Sequence, residues 1–200
     1  MKKIMMLALI ILLGLQVNSQ VDGLLALNYP AKGQDEKIVV GSASLEGNEE
    51  NAWKHIKTGL QYDQSSETDN AIKEYGIAIE IDNGIAEAFD YRAVCYIKMG
   101  KYRKALRDLE EAIDISSGFV DAYNHLGVAN YWLKNYQDAI NFYSRAIALN
   151  PSFATPYFNR AIVYLALEEN QLALKDLNKA KELKLDGVDP VLQEFFADKK

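Results

Sequence analysis

The 200-residue chain has one cysteine, two histidines and four prolines, and each scarcity removes a class of protein. A single thiol, Cys95, builds neither an intramolecular disulfide framework nor a cysteine-based zinc site. The histidines, His55 and His125, stand 70 positions apart, far from the short spacings that bring metal ligands together. So few prolines, with 12 glycines in no regular period, exclude collagen-like and proline-rich chains. Positive charge is also short. Against 28 acidic residues stand 22 Lys and Arg, leaving a formal charge of −6 and a pI near 5.0, the wrong sign for displacing counterions from phosphates. Nucleic acid is thereby set aside as a partner.

No apolar run reaches the roughly 20 residues that span a bilayer as a helix. The longest, Ile4 to Leu15, follows Lys2 and Lys3 and precedes Val17-Asn18-Ser19, the order of a basic start, an apolar stretch and a small-residue cleavage site. Residues 1–19 are therefore expected to be a signal peptide, and the product periplasmic or secreted, with no membrane span once the signal is gone. Losing two lysines takes the net charge from −6 to −8. From 20 to 48 a Pro and several glycines interrupt any period, so a loosely ordered arm is expected. Within it, Lys37 to Val40 could form a short strand, though it has no neighbour to pair with.

What the chain has in plenty is repetition. Ala71, Ala105, Ala139 and Ala173 recur every 34 residues, and Ala78, Ala112, Ala146 and Ala180 follow each by seven. The same interval relates Gly59, Ala93, Gly127 and Ala161, and again Tyr75, Leu109, Tyr143 and Leu177. Within a unit the apolar residues recur at three and four positions, as amphipathic helices require. Each unit therefore reads as two helices, with pairs expected near 51–64 and 68–82, 86–99 and 102–116, 120–133 and 136–149, and 154–167 and 170–184. Gly100 is placed to end a helix in the left-handed conformation, and Asn150-Pro151 to break one repeat from the next.

Gly59-x-x-Tyr62, Leu126-Gly127, Ala139 with Tyr143 and Ala146, and the Asn150-Pro151 junction resemble the tetratricopeptide repeat, a 34-residue helix-turn-helix unit. The resemblance implies an all-α, right-handed superhelical solenoid of about four hairpins over residues 49–187, in units of about 52–85, 86–119, 120–153 and 154–187. A capping helix and tail over 188–200 should start at Asp189-Pro190. The first unit departs from the pattern, with His55 where the others carry Phe89, Tyr123 and Tyr157, and is expected to be a degenerate end.

One internal comparison needs no family. Arg92 and Asp108 stand sixteen apart in the second unit, Arg160 and Asp176 fill the same columns in the fourth, and the third has Leu126 and Phe142 there. Charge goes with charge and apolar with apolar, so the two columns should face each other across each hairpin.

Candidate chemistry is sparse. Cys95 sits between Val94 and Tyr96 on an expected helix and reads as a small buried hydrophobe. Glu110-Glu111 and Glu168-Glu169 occupy adjacent helical positions, which diverge. No phosphate-binding glycine loop or nucleophile elbow occurs. The chain is accordingly expected to be no enzyme and to hold no cofactor or metal. The resemblance implies instead a groove lined by the first helices, here Glu87, Asp90 and Tyr91 in the second unit, Asp121, Asn124, His125, Tyr131 and Trp132 in the third, and Phe158 and Asn159 in the fourth. These ten are the expected binding residues for a partner peptide or helix. The alternative is a structural subunit that self-associates or joins a larger envelope assembly.

Overall fold

The computed structural model describes residues 43–196; the signal-like segment, the rest of the arm with its strand candidate, and the tail from 197 lie outside that span. Its helices are α1 (Ala43–Gln64), α2 (Thr68–Ile81), α3 (Ala86–Lys98), α4 (Tyr102–Ile115), α5 (Val120–Trp132), α6 (Tyr136–Leu149), α7 (Ala154–Ala166), α8 (Asn170–Glu182) and α9 (Val188–Phe196). From α2 to α8 the observed limits match the expected ones to within two residues. Only α1 differs materially, beginning at Ala43 rather than near residue 51. Gly47, counted as an interruption, is exposed with open space around it; a lone glycine in an exposed helix costs only about 1 kcal/mol. No described helix is long and apolar enough to cross a membrane.

The chain divides into two compact units, residues 36–150 with α1 to α6 and a second that contains residues 151–200, whose described helices are α7 to α9. In the first, three antiparallel hairpins are closed by small residues: Ala71, Ala78, Ala105, Ala112, Ala139 and Ala146 are all fully buried. These let helix axes approach to about 8–10 Å. Larger side chains fill the space beside them, with Phe89, Ile97, Leu109 and Leu126 forming one core with these alanines' neighbours.

The sixteen-residue relation governs each hairpin. Arg92 Nε and Nη2 donate to the two carboxylate oxygens of Asp108 at 2.7 and 2.9 Å. Arg160 and Asp176 repeat the fork at the same two distances across α7 and α8. Leu126 is buried in the core of the first unit and Phe142 packs against that core. In the first repeat the same columns hold Thr58 and Glu74, and Glu74 bonds His55 Nδ1 at 2.7 Å instead, which gives the atypical histidine a structural role.

A second sixteen-residue relation joins Gly59 to Tyr75 and Gly127 to Tyr143. A Cβ added to Gly59 would stand 2.6 Å from the Tyr75 ring, and one added to Gly127 would meet the Tyr143 ring still closer. Where the first column is glycine the second is tyrosine; where it is Ala93 or Ala161, the second is Leu109 or Leu177. The backbone gives way to the larger ring.

Each hairpin turn has its left-handed residue at one repeating position: Ser66, Gly100, Lys134 and Glu168, with φ between 61° and 71°. The following amide then bonds five residues back, Lys101 to the Tyr96 carbonyl and Asn135 to the Asn130 carbonyl, at 2.8 and 2.9 Å, the Schellman closure. Gly100 adopts this conformation as expected, and the other three turns reach it without glycine.

The second unit builds its own core from Ala161, Leu165, Ala173, Leu177 and Ala180 of α7 and α8 with Val188 and Val191 of α9. The last helix thus covers a face of its hairpin. It starts at Val188, so Asp189 lies in its first turn rather than capping it, and pairs with Lys181 at 2.6 Å.

Candidate functional site

The expected groove residues belong to first helices, and α3 and α5 carry most of them. Their positions in the sequence place Glu87, Asp90 and Tyr91 on one face of α3, at three- and four-residue steps, and Asp121, Asn124 and His125 on the matching face of α5. The hairpins do not need this face for their interiors, which the sixteen-residue contacts already fill.

The six differ in depth. Glu87 and Asp121 are half-buried, whereas Asp90, Tyr91, Asn124 and His125 are buried, His125 to 2% exposure. The reason is pairing between successive repeats. His125 Nδ1 lies 2.7 Å from Asp90 Oδ1, bridging α5 to α3, and the Tyr91 ring tilts against Tyr75 of the preceding hairpin with centroids 5.7 Å apart. These are therefore structural as well as candidate binding groups, and a buried Tyr91 cannot be removed as harmlessly as a surface tyrosine.

The electrostatics of the face are unusual. Burial, the largest effect, would lower the His125 pKa, but the Asp90 charge and hydrogen bond, helped by Asp121, raise it overall. Burial pushes the Asp121 carboxyl up to about 6, reinforced by Asp90 and opposed by His125. The Tyr91 phenol is driven up, first by burial and then by Asp90, Glu87 and Asp121. Negative charge is concentrated here without full compensation.

Tyr131 and Trp132 go elsewhere. Trp132 stacks on Tyr102 of the preceding hairpin, interplanar angle 4°, and meets Tyr131 edge-on at 5.6 Å; Tyr131 also packs on Tyr136. They form an aromatic cluster at the turn end of α5, with Trp132 still 39% exposed. In the other compact unit, Phe158 packs against the α7 to α9 core, and Asn159 is half-buried.

A contact that the sequence did not reveal ties α1 to α3. Lys98 Nζ donates to both oxygens of Asp63 at 2.9 and 3.0 Å, and Cys95 Sγ lies 3.8 Å from the same carboxylate. Both inter-repeat ion pairs, Asp63 with Lys98 and Asp90 with His125, span 35 residues. That spacing could have exposed them, but each occurs in different columns and in a single copy. Burial raises the Cys95 thiol to about 12, which keeps it protonated and unreactive at neutral pH.

Family models for the tetratricopeptide repeat match residues 120–153 and 154–186, and a further TPR repeat model matches 95–133. Residues 95–186 are tetratricopeptide repeats. No curated protein matches its sequence. Among solved structures it is similar to TTC0263, a thermophilic TPR protein of Thermus thermophilus, at 20% identity and a TM-score of 0.66 over 73% of this chain and 81% of that one. It is similar to MamA at 24% identity and 0.62 over 70% and 82%. The second TPR domain of human RPAP3, in complex with the HSP70 peptide SGPTIEEVD, matches at 22% and 0.57 over 58% and 98%. At these identities the likeness is one of fold, and the TPR hairpins described above account for it.

Proposed function

We propose that this TPR protein is an exported, non-catalytic interaction scaffold, and that the shared face of α3 and α5 receives a segment of its partner. The observation that carries the reading is the set Asp90, Asn124 and His125. These polar groups are gathered where first helices meet, at positions the hairpin cores do not require. A fold with a purely structural duty would place apolar side chains there at less cost in desolvation. TPR domains as a fold class support protein recognition, and the RPAP3 domain holds a peptide. That peptide ends in acidic residues, whereas Glu87, Asp90 and Asp121 present negative charge here, so an acidic tail is a poor candidate for this chain. Export rests on the arrangement of residues 1–19.

The test is site-specific photocrosslinking in the native envelope fraction. A photoreactive residue at Glu87 should trap a distinct partner, and one at the exposed Glu110 of α4 should not. Crosslinks from position 110 alone, or only between copies of this chain, would overturn the groove reading in favour of self-assembly.

A further inference from the structure

The exposed face of α4 has a charge order that its own helix does not favour. Arg103, Arg107, Glu110 and Asp114 follow one another at steps of four, three and four residues, which keeps them within about 60° of one another around the helix axis. All four are exposed, as are Lys104 and Glu111 beside them. Basic residues thus hold the first half of the stripe and acidic ones the second, the reverse of what the helix dipole stabilises. Arg103 and Arg107 are also four apart, and so are Glu110 and Asp114, a spacing at which like charges repel. None of the four has an ion pair with another described residue.

The repeat does not require this order. In the same four columns α6 carries Gln137, Asn141, Ser144 and Ala148, and α2 opens with Asp69 before Lys73, as the dipole prefers. Both helices close the same kind of hairpin without the α4 stripe. The interior of the α3/α4 hairpin is supplied by Ala105, Leu109 and Ala112 on the opposite face. The stripe therefore works against its own helix and contributes nothing to the hairpin.

Reversed end to end, however, the stripe is its own complement. Arg103 and Asp114 lie equally far from the point between Asp108 and Leu109, and so do Arg107 and Glu110. We propose that α4 is the self-association face of this chain, on which a second copy docks antiparallel about a two-fold axis, Arg103 meeting Asp114 and Arg107 meeting Glu110 in both directions. Repulsion within each helix then becomes attraction between two. Lys104 and Glu111 share one flank of the stripe and form a further pair there. An unrelated basic or acidic protein would satisfy only half of the stripe, whereas a second copy satisfies all of it. A formal charge of −6 makes two copies repel at long range, so only a locally matched surface brings them together. Exposed ion pairs are individually weak; the contact depends on several acting at once and is reversible and salt-sensitive. It lies on a second helix and joins like chains, so it is independent of the α3/α5 reading and adds no distinct partner at position 110.

Sedimentation velocity of the chain isolated from its own cells, over a concentration series, tests this. A reversible dimer is expected, with a dissociation constant at least about tenfold larger at about 500 mM than at about 20 mM salt. Arg103→Glu with Arg107→Glu makes the stripe wholly acidic, and Glu110→Lys with Asp114→Lys makes it wholly basic. Each double variant should be monomeric, and the two mixed should form a one-to-one dimer. A chain monomeric at low salt, a dimer that either variant retains, or one that mixing does not restore would overturn the proposal. Should a variant fail to fold, the unaltered chain still decides. Carbodiimide coupling of mixed isotope-labelled and unlabelled chains should join Lys104 of one copy to Glu111 of another, and coupling found only within chains would overturn the α4 contact.

Discussion

The inside of a hairpin and the seam between hairpins are built by different rules. Inside, contacts join residues sixteen apart and recur from repeat to repeat: Gly59 with Tyr75 and Gly127 with Tyr143, Arg92 with Asp108 and Arg160 with Asp176. At the seams of the first unit the ion pairs join residues 35 apart and differ in chemistry, Asp63 with Lys98 and then Asp90 with His125. A hairpin interior has to satisfy only its own two helices, so each repeat can adopt any self-consistent pair. A seam must also present a surface, and its residues are free to diverge. Structure is repeated where it stabilises the unit and individual where the unit meets something else.

The sharpest break of this contrast is at Gly127. Leucine there would drive its side chain through the Tyr143 ring, and overpacking of this kind costs roughly 1–3 kcal/mol or more. Gly127→Ala should cost less, and Gly127→Ala with Tyr143→Leu should recover much of the loss, because that pair already exists as Ala93 with Leu109. Chemical denaturation of the four members of the cycle measures the coupling. Additive effects would mean the two columns are independent.

Next comes the arginine fork. Asp108→Ala leaves the Arg92 guanidinium half-buried beside Phe89, 5.8 Å from the ring centroid, without its carboxylate. A cost of about 2 kcal/mol is expected, within the range for breaking a charged hydrogen-bonded pair. Arg92→Leu with Asp108→Phe, the third repeat's solution, should be tolerated better than Asp108→Ala alone. A double variant less stable than that single one would show that the exchange depends on the repeat that holds it.

These two predictions concern the part of the molecule that its sequence made legible. Four aligned copies act as an internal comparison, so helix limits, alanine columns and the Arg92–Asp108 pairing could be read from columns alone. The seam gave one copy of each pair and no such comparison. Its residues lie on the expected helices, but nothing in the linear pattern announces that Asp90, Tyr91, Asn124 and His125 are buried, since polarity in a sequence does not say whether a group is paired. Tyr131 and Trp132 were likewise assigned to the groove because nothing in the linear pattern announces that Trp132 stacks on Tyr102.

At the seam the expected sign reverses. Asp121 has its carboxyl raised from 3.8 to about 6 in the fold, chiefly by burial, so the native state holds this proton more tightly than the unfolded chain does. Its ionisation therefore opposes folding; the cost develops between about pH 4 and 6 and is fully present above. Asp121→Asn should be more stable at pH 7.5, on the order of 1–2 kcal/mol after allowance for its partial solvation. That gain should vanish at pH 4. His125 works the other way: its raised pKa stabilises the fold below about 6.5 and the benefit is lost as pH rises through the folded value. At pH 4 Asp121 is itself protonated and adds nothing to that benefit, so the comparison between the two pH values reads Asp121 alone. Thermal unfolding at both checks it, and a variant destabilised at pH 7.5 would show that Asp121 is held by contacts its charge strengthens.

The smallest effect lies in the turns, where hairpins differ only in how they reach one backbone state. Gly100 adopts φ 71° without a side chain, whereas Lys134 takes φ 65° with one. A Cβ in the left-handed region costs roughly 1–2 kcal/mol before local compensation, and glycine loses some of that advantage to its freer unfolded state. Lys134→Gly should therefore stabilise by about 0.5–1 kcal/mol, while Lys134→Ala, which keeps the Cβ, should change little. Gly100→Ala should destabilise by a similar amount. The two turns share the Schellman closure, so the two changes probe the same geometry from opposite sides. If Lys134→Gly destabilises instead, its side chain contributes something to the third hairpin that the backbone alone does not explain.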